Sequence, residues 1–269
     1  MLINTAKIKM FLIYLFGQQI AGFLHGFRFF LILRFATKEI DPEVSILRNI
    51  LSEGDIAIDV GANGANWTYY LANAVGKSGH VYAFEADPYY ALATKWAINF
   101  LNLRSVTLFP FALSNENKDL HLNIYSKNGT RLSGLSSINK KEDKNSVPVK
   151  SRSIDTMLLN YPDLINCRLF KCDTEGFELF VFKGAEKIID KSRPIIIYEV
   201  GRFEKYNYTK NQLFNFFIQK KYLSFTMLKN GFIAKTNKNL EHKKAASVNR
   251  LMIPYELLYL FKDKISFSK

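Results

Sequence analysis

The sequence predicts an α/β fold: a mostly parallel sheet with helices on both faces and an antiparallel hairpin at its end. Short apolar runs of strand length alternate with helical patterns between about residues 54 and 236. Asn230-Gly231 separates the last two runs, as expected for a hairpin turn. With 48% apolar and 23% charged residues, the composition is that of a globular protein, and 269 residues allow one large domain with appendages.

Residues 1–40 are predicted to be an apolar N-terminal helical segment that precedes this domain. The stretch 10–35 is nearly long enough to cross a bilayer, but Gln18, Gln19 and Arg28 interrupt it. Three interpretations remain open: an interfacial helix on a membrane, a helix that packs on the domain or on a second subunit, and a true span. Peripheral membrane contact and an oligomer are therefore both open.

The main domain is predicted over residues 41–236, beginning with a helix that Asp41 caps and Pro42 starts. Further helices are predicted over residues 67–74, 88–101 and 177–189. Strands are predicted over residues 55–60, 81–85, 105–109, 120–125, 168–172 and 194–200, and the hairpin over 222–228 and 232–235. The polar stretch 126–145 is predicted to be a functional loop. Its basic residues Lys127, Arg131 and Lys140 are candidates for contact with an anionic substrate.

Residues 237–269 are predicted to be a basic C-terminal segment with a short helix. Residues 200–269 contain 14 basic and 4 acidic side chains, whereas the net charge of the whole chain is +13. Such a charge attracts anionic partners, including RNA and lipid headgroups. The middle of the chain is nearly neutral, with 17 basic and 16 acidic residues over 55–199. The chemistry there does not depend on a general attraction to polyanions.

The two cysteines, Cys167 and Cys172, lie five residues apart in one apolar stretch. If that stretch is a strand, their side chains point to opposite faces of the sheet, so a disulfide between them is not expected. No pair of histidines lies nearby to complete a zinc site. We expect both thiols to be buried and unreactive, in a protein of a reducing compartment, the cytoplasm.

Two strand ends carry residues that suit a nucleoside ligand. Asp59-Val60-Gly61-Ala62-Asn63-Gly64 closes the first strand, where glycines let backbone amides approach a ligand. Glu85 ends the second strand and can accept hydrogen bonds from two ribose hydroxyls. Parallel strands bring their carboxyl ends to one edge, so these residues are expected to be neighbours. The turn alone would also fit an NAD site.

A third segment, Lys171 to Glu178, follows the next core strand and distinguishes between these possibilities. With it, the sequence resembles the FkbM family of methyltransferases. The matching pieces, in the family's order, are GDIAIDVGANG (54–64), VYAFEAD (81–87), FALS (111–114), SIDTML (153–158), KCDTEGFE (171–178), FKGA (182–185) and IYEV (197–200). They cover about residues 53–200, slightly more than half of the chain.

The resemblance implies a class I methyltransferase, Rossmann-like sheet with S-adenosylmethionine as the methyl donor. It also implies an acceptor hydroxyl, often on a sugar, glycan or glycolipid. The residues that it assigns to the donor are Asp59, Gly61 and Asn63 at the methionine end, Glu85 at the ribose, and Ala112 and Ser114 near the adenine. Asp173 and Glu175 would lie where donor and acceptor meet.

Methyl transfer to a hydroxyl benefits from a general base, for which the candidates are Asp173, Glu175 and Glu199, in that order. No metal is expected. The alternatives are that Asp173 and Glu175 only cap the following helix, and that Glu199 only pairs with Lys171 or Arg202. Two histidines of the predicted domain, His80 and His121, lie at the starts of predicted strands and are expected to be structural.

Two departures from the family's pattern and one motif bear on function. Ala65 and Ala86 stand where relatives often have Gly and Pro. An alternative function is therefore that of a membrane-associated scaffold that binds the donor but no longer transfers the methyl group. A second alternative, suggested by the basic residues of 200–269, is an RNA-modifying methyltransferase. The stretch 87–90 resembles the D-P-P-Y motif of base-amine methyltransferases, but it follows the second strand rather than the fourth. Nucleic acid is therefore not the favoured substrate.

Overall fold

The computed structural model describes residues 5–35, 41–126, 131–132, 136–139, 142–236 and 245–266. Its α-helices are α1 (Thr5–Phe35), α2 (Leu47–Ile50), α3 (Asn66–Val75), α4 (Pro88–Phe100), α5 (Ile154–Met157), α6 (Glu178–Lys183), α7 (Glu186–Ser192) and α8 (Lys210–Gln219). Its strands are β1 (Ile56–Val60), β2 (His80–Phe84), β3 (Val106–Phe109), β4 (Ala112–Leu113), β5 (Asp119–Asn123), β6 (Ser137–Asn139), β7 (Ser146–Arg152), β8 (Cys167–Cys172), β9 (Ile195–Glu199), β10 (Tyr222–Met227), β11 (Ile233–Lys235), β12 (Asn249–Pro254) and β13 (Ile265–Ser266). Short 3-10 helices cover Pro42–Ile46, Pro162–Asn166, Phe203–Tyr206 and Tyr255–Phe261.

The main sheet has nine strands in the order β13-β11-β10-β12-β9-β8-β1-β2-β3. Strands β3, β2, β1, β8 and β9 are parallel, whereas β12 is antiparallel to both β9 and β10. The predicted fold class is confirmed, including the antiparallel hairpin of β10 and β11. The chain order reverses between β1 and β8, and ligands bind beyond the carboxyl ends of strands at such a point.

Helices cover both faces of this sheet because the side chains of each core strand alternate between two apolar cores. Ile58 and Phe170 pack with α6, α7 and α8 on one face. Ala57 and Leu169, their chain neighbours, pack with α2, α3 and the C-terminal 3-10 helix on the other. Strands buried on both faces are apolar throughout, which explains why they were recognisable as runs in the sequence. Cys167 and Cys172 are buried and unpaired, as expected.

A second, smaller sheet with the order β4-β7-β5-β6 lies next to the carboxyl edge of the main sheet. The strand predicted at 120–125 is β5 of this small sheet, where it pairs antiparallel with β6 and β7. The predicted loop 126–145 therefore contains a strand, β6, whose Ile138 is opposite Leu122. Lys127 and Lys140 lie outside the described residues.

Two predicted helices differ from the structure. The helix predicted at 177–189 is two helices, because the carbonyl oxygen of Gly184 accepts hydrogen bonds from Ser153 Oγ (2.9 Å) and the amide of Asp155 (2.9 Å). The helix expected after Asp41 is a 3-10 helix followed by the short α2. Asp41 makes no side-chain cap; instead its Oδ2 accepts a hydrogen bond from Trp67 Nε1 at 2.7 Å.

The sheet extends past residue 236, where the sequence prediction ended the domain. Strand β12 lies between β9 and β10, and the segment Tyr255–Phe261 packs against the same core as α3. The short helix expected in the C-terminal segment is this 3-10 helix. The segment 245–266 is therefore part of the sheet domain rather than an appendage to it.

Helix α1 is kinked at Gly17, and its second part packs along α4. Gly22 and Gly26 make this close packing feasible. A Cβ atom at Gly22 would lie 2.6 Å from Leu92 Cδ2, and one at Gly26 would lie 2.5 Å from Trp96 Cβ. Packing on the domain, one of the three open interpretations, is thus observed for this face of α1. Among the described residues, no helix has the length and apolarity needed to traverse a membrane.

Candidate active site

The loop after β1 approaches the loop after β8 so closely that a side chain would not fit between them. Gly61 has φ = +84°, and a Cβ atom there would overlap the carbonyl oxygen of Asp173. The amide of Asp173 donates to the carbonyl oxygen of Val60 at 2.9 Å, which fixes the two loops together. Glycine is required at this position both for its backbone conformation and for space. A backbone surface without side chains is thereby left open to a ligand.

The loop continues through Gly64 and Ala65, where the sequence departs from its relatives. Ala65 adopts a left-handed conformation (φ = +67°) that glycine takes more easily. Gly64 also has a positive φ, and a Cβ atom there would overlap the ring of Phe29 on α1. Ala65 is fully buried, so its methyl group is packed. The loop therefore has the glycine-type conformation although alanine occupies the position.

Glu85 closes the opposite side of this loop. Its carboxylate accepts hydrogen bonds from the amide of Asn63 at 2.9 Å and from the amide of Asp87 at 2.9 Å. Burial raises the pKa of Glu85 to about 7, and the nearby charge of Asp87 adds to the effect. A buried carboxylate with spare lone pairs is well suited to accept hydrogen bonds from a diol.

A cavity lies between these loops and the small sheet, in two adjoining parts of about 70 Å³ each. The first part is an apolar slot, lined by Phe84, Ala86, Phe111, Ala112, Leu113, Leu122, Ile138 and Phe177. The second is more polar, and Asn63, Tyr90, Ser136, Thr174 and Glu175 line it. Gly61, Glu85 and Asp173 border both parts. The cavity therefore offers a ligand three features: an apolar slot, the buried carboxylate of Glu85 and a loop without side chains at Gly61.

Asp59 does not line this cavity, although the resemblance assigned it to the donor. It is buried beneath the loop, and its Oδ2 accepts a hydrogen bond from Thr68 Oγ1 at 2.6 Å. Its Oδ1 has no hydrogen-bond partner among the described residues. Burial raises the pKa of Asp59 to about 6. Asp59 therefore positions α3 relative to β1 and supports the loop from below.

Ala112 borders the apolar slot, as predicted, but Ser114 does not. Ser114 is buried behind the slot, where its amide donates to the carbonyl oxygen of Arg152 at 2.9 Å. It borders a separate cavity together with His121 and Tyr206. The difference arises because β4 ends at Leu113, and the chain there turns away along β7.

The segment after β5 covers the side of the cavity on which Glu85 lies. The sequence did not indicate which residues of the segment would form this cover. Arg131 is buried and forms an ion pair with Asp87, and its guanidinium group lies 4.9 Å from the centre of the Tyr89 ring. Ser136 Oγ donates to the other oxygen of Asp87 at 3.1 Å. Asp87 also caps α4 through the amide of Tyr89. Asp87 thus both caps α4 and pairs with Arg131, and the sequence alone did not predict the second contact.

Asp173, Glu175 and Glu199 meet at the carboxyl ends of β8 and β9. One carboxylate oxygen from each lies within 4.8 Å of the others, a spacing at which oxygen ligands can share a divalent cation. Lys171 Nζ is 3.5 Å from Asp173 Oδ2, and Arg202 Nη1 is 3.4 Å from Glu175 Oε2. Neither pair includes Glu199.

Of these three carboxylates, Glu199 therefore receives the least stabilisation of its negative charge from neighbouring cations. Burial, followed by the charge of Asp173, raises the pKa of Glu199 to about 8. The pKa of Glu175 is raised by burial and lowered again in part by Arg202. Burial alone would lower the pKa of Lys171, but the charges of Asp173 and Asp59 outweigh it and the pKa is raised. Glu199 is therefore largely protonated at neutral pH.

Glu178 holds the loop that carries these carboxylates. Its Oε1 accepts hydrogen bonds from the amide of Thr174 (2.9 Å), from Thr174 Oγ1 (3.0 Å) and from the amide of Gly176 (3.2 Å). The loop needs such support because Glu175 and Gly176 both have positive φ. The sequence showed Glu178 only as part of the motif, without indicating this role.

The comparisons with known proteins agree with this geometry. The family model described as Methyltransferase FkbM domain matches residues 59–228, more than half of the chain. The chain belongs to the FkbM methyltransferase family. The matched domain is thus an S-adenosylmethionine-dependent methyltransferase domain with a class I fold, and S-adenosylmethionine is the cofactor of such a domain. Comparison with curated proteins gave no match.

Three solved structures with similar folds are distant from this chain in sequence. A methyltransferase FkbM from Methylobacillus flagellatus is 14% identical over 74% of this chain and 43% of that protein, with a TM-score of 0.46. The present chain thus spans less than half of that protein's length. A Streptococcus mutans protein in complex with SAH is 12% identical over 81% of this chain and 98% of its own, with a TM-score of 0.46. A SAM-dependent methyltransferase from Aquifex aeolicus is 12% identical over 80% and 88%, with a TM-score of 0.42.

Proposed function

We propose that this protein transfers a methyl group from S-adenosylmethionine to a hydroxyl oxygen on a sugar, glycan or glycolipid-type acceptor. The observation that carries the proposal is the carboxylate pair Asp173 and Glu199, which lies beside the donor cavity and has a base strength suited to a hydroxyl proton. Donor binding is assigned to the bare loop at Gly61, to Asn63 and to Glu85. Ala112 belongs to the slot for the adenine.

The donor, when bound, supplies a methyl carbon already activated by a positively charged sulfur. The protein then has three tasks: to align the acceptor oxygen with that carbon, to exclude water and to remove a proton. Phe84, Phe111 and Phe177 make the slot apolar and exclude water from one side. Thr174 and Glu175 border the polar part of the cavity, where the acceptor is proposed to enter.

The acceptor proton is proposed to go to the pair formed by Asp173 and Glu199. A carboxylate with an ordinary pKa is a poor base toward an alcohol, whereas one with a pKa near the working pH is more effective. Burial of Glu199, followed by the charge of Asp173, provides this increase. Glu175, held by Arg202 at 3.4 Å, is proposed to orient the acceptor rather than to accept the proton.

The pH dependence of the transfer tests this assignment. Glu199 can act as a base only after it has lost its own proton, so the rate should rise with pH through about 8. Glu199→Gln should abolish this rise and lower the rate at the plateau by roughly 10²–10⁴-fold. The assay is transfer of labelled methyl from S-adenosylmethionine to a panel of alkyl glycosides and glycolipids. Glu204→Gln, an exposed acid outside the site, is the control.

Other acceptors would give a different pattern of label. Label on RNA, with steep salt dependence, would replace the proposal with an RNA-modifying enzyme. Donor binding without transfer to any acceptor would favour a donor-binding scaffold. A wild-type rate that does not change between about pH 6 and pH 9 would contradict the role of the pair.

The proposal also includes a location: peripheral contact with a membrane through residues 10–35, on the cytoplasmic side. Two unpaired, buried cysteines are consistent with a reducing compartment. A self-associated form through the same helix is the competing arrangement.

A further inference from the structure

Among the described residues, one face of α1 carries more than half of the large apolar side chains that are exposed. Of the thirteen large apolar side chains that are exposed in the described part of the chain, seven lie on this helix. We call these seven the outer stripe: Ile20, Phe23, Leu24, Phe27, Leu31, Ile32 and Phe35. They recur three or four residues apart, so they follow one another along one side of the helix. A contiguous apolar patch of this kind marks an interaction surface.

A small rotation of α1 could not bury the outer stripe. The opposite side of α1 is already packed: Ala21, Phe29 and Leu33 lie in the same core as α4. Gly22 and Gly26 hold the helix against α4 at a separation that no other residue would permit. Rotation would expose this core in exchange for the stripe. The stripe therefore remains on the surface of the folded domain.

The charges of α1 indicate which partner fits the stripe. Residues 5–35 contain no Asp or Glu, and Arg28 and Arg34 are exposed along the stripe. In a symmetric dimer through this face, the same arginines would approach each other without an acidic residue on either helix to pair with. An anionic lipid surface offers both an apolar interior for the stripe and negative headgroups for the arginines.

We propose that the outer stripe of α1 docks the enzyme onto an anionic bilayer surface, with Arg28 and Arg34 at the headgroups. The inner side of the same helix contacts the donor loop, because Phe29 packs directly on Gly64. Gly64 of the donor loop thus lies about one helix diameter, roughly 10 Å, from the docked surface. This inference rests on the proposed function and narrows it: the acceptor is a hydroxyl on a saccharide linked to a membrane lipid.

Flotation of the full chain with lipid vesicles tests the docking. The vesicles contain roughly three parts phosphatidylcholine to one part phosphatidylglycerol, with pure phosphatidylcholine for comparison. We expect binding to the anionic vesicles that weakens at least tenfold on pure phosphatidylcholine. The triple variant Leu24→Ser, Leu31→Ser, Phe35→Ser should lose binding by at least tenfold. Leu159→Ser, which removes an 89% exposed leucine outside α1, is the matched control and should bind as wild type.

The arginines are tested separately from the apolar stripe. Arg28→Gln with Arg34→Gln should weaken binding to anionic vesicles by roughly tenfold and leave weak binding to phosphatidylcholine unchanged. If the wild type binds neither vesicle and sedimentation shows a dimer that the triple variant loses, the stripe is a self-association surface and the docking proposal is wrong. Equal binding by the wild type and the triple variant would also overturn it.

The same preparations separate this inference from the proposed function. S-adenosylhomocysteine binding, measured by calorimetry on the triple variant, should equal that of the wild type, because none of the three changed side chains borders the donor cavity. A triple variant that binds the donor product but not vesicles supports a separate docking surface. A wild type that binds vesicles but neither the donor nor its product would contradict the proposed function and leave the docking intact.

Discussion

Replacing Glu178 by Gln should make the protein more stable at neutral pH and above. Glu178 is buried, and burial raises its pKa from 4.5 to about 7 despite the hydrogen bonds that it accepts. A difference of one in pKa corresponds to about 1.4 kcal/mol. Ionised Glu178 therefore costs the folded state about 3 kcal/mol relative to the unfolded state. Glutamine avoids this cost, and its amide oxygen can accept the three hydrogen bonds that Glu178 Oε1 receives.

The sign of the effect fixes its pH window. Below about pH 4.5 the carboxyl group is protonated in both states, and Glu178 contributes no electrostatic cost. As the pH rises, the unfolded state loses its proton first, so the wild type becomes progressively less stable until about pH 7, where the folded state ionises too. The advantage of Glu178→Gln should therefore grow by about 3 kcal/mol between these two pH values and remain constant above them.

Urea denaturation followed by circular dichroism at a series of pH values measures this difference directly. Glu53→Gln changes an exposed glutamate outside the network and should give a curve parallel to that of the wild type. A constant difference between Glu178→Gln and wild type at all pH values would refute the reasoning. It would mean that Glu178 is not ionised at a cost in the folded protein, and that the loop from Asp173 to Phe177 is held without a buried charge.

Three further changes have definite expected outcomes. Gly61→Ala should weaken S-adenosylhomocysteine binding at least tenfold in calorimetry because its Cβ would displace Asp173, whereas Gly231→Ala, with φ = +80° but open space around it, should not. Arg131→Ala should lower the free energy of unfolding by about 3–5 kcal/mol, because Asp87 would remain buried and unpaired; a loss below about 1 kcal/mol would contradict the ion pair's role. Ala65→Gly should change the free energy of unfolding by less than about 1 kcal/mol, since relief of the left-handed backbone offsets the loss of a buried methyl group, and donor binding should persist; weakened binding would show that the methyl group shapes the loop.

The parallel core and the strand-end residues were predictable from sequence because the signals are local. Strands buried on both faces are continuous apolar runs, and Gly61 and Glu85 come directly after such runs. Since parallel strands share an edge, the sequence was sufficient to place both residues beside one cavity. The carboxylates Asp173 and Glu199 follow the same rule at the ends of β8 and β9.

Other features depend on contacts between distant segments and had no local signal. Strand β12 inserts between β9 and β10, and nothing in residues 249–254 indicates the neighbours that it will have. Ser114 is the last residue of the FALS motif, but pairing of β4 with β7 turns it away from the slot. Arg131 reaches Asp87 across 44 residues of sequence. For Asp59, the motif alone did not distinguish contact with the donor from support of the loop beneath it.

The most direct test of the site is calorimetric titration of S-adenosylhomocysteine into the wild type, Glu85→Ala and the conservative Glu85→Gln. We expect the wild type to bind and Glu85→Ala to weaken binding by roughly 10–100-fold, the value of one lost charge-assisted hydrogen bond. Glu85→Gln should have an intermediate effect, and the exposed-residue variant Glu53→Ala should have none. Equal binding by wild type and Glu85→Ala would mean that the ribose does not lie against Glu85. Absence of binding by the wild type would contradict the donor site as a whole.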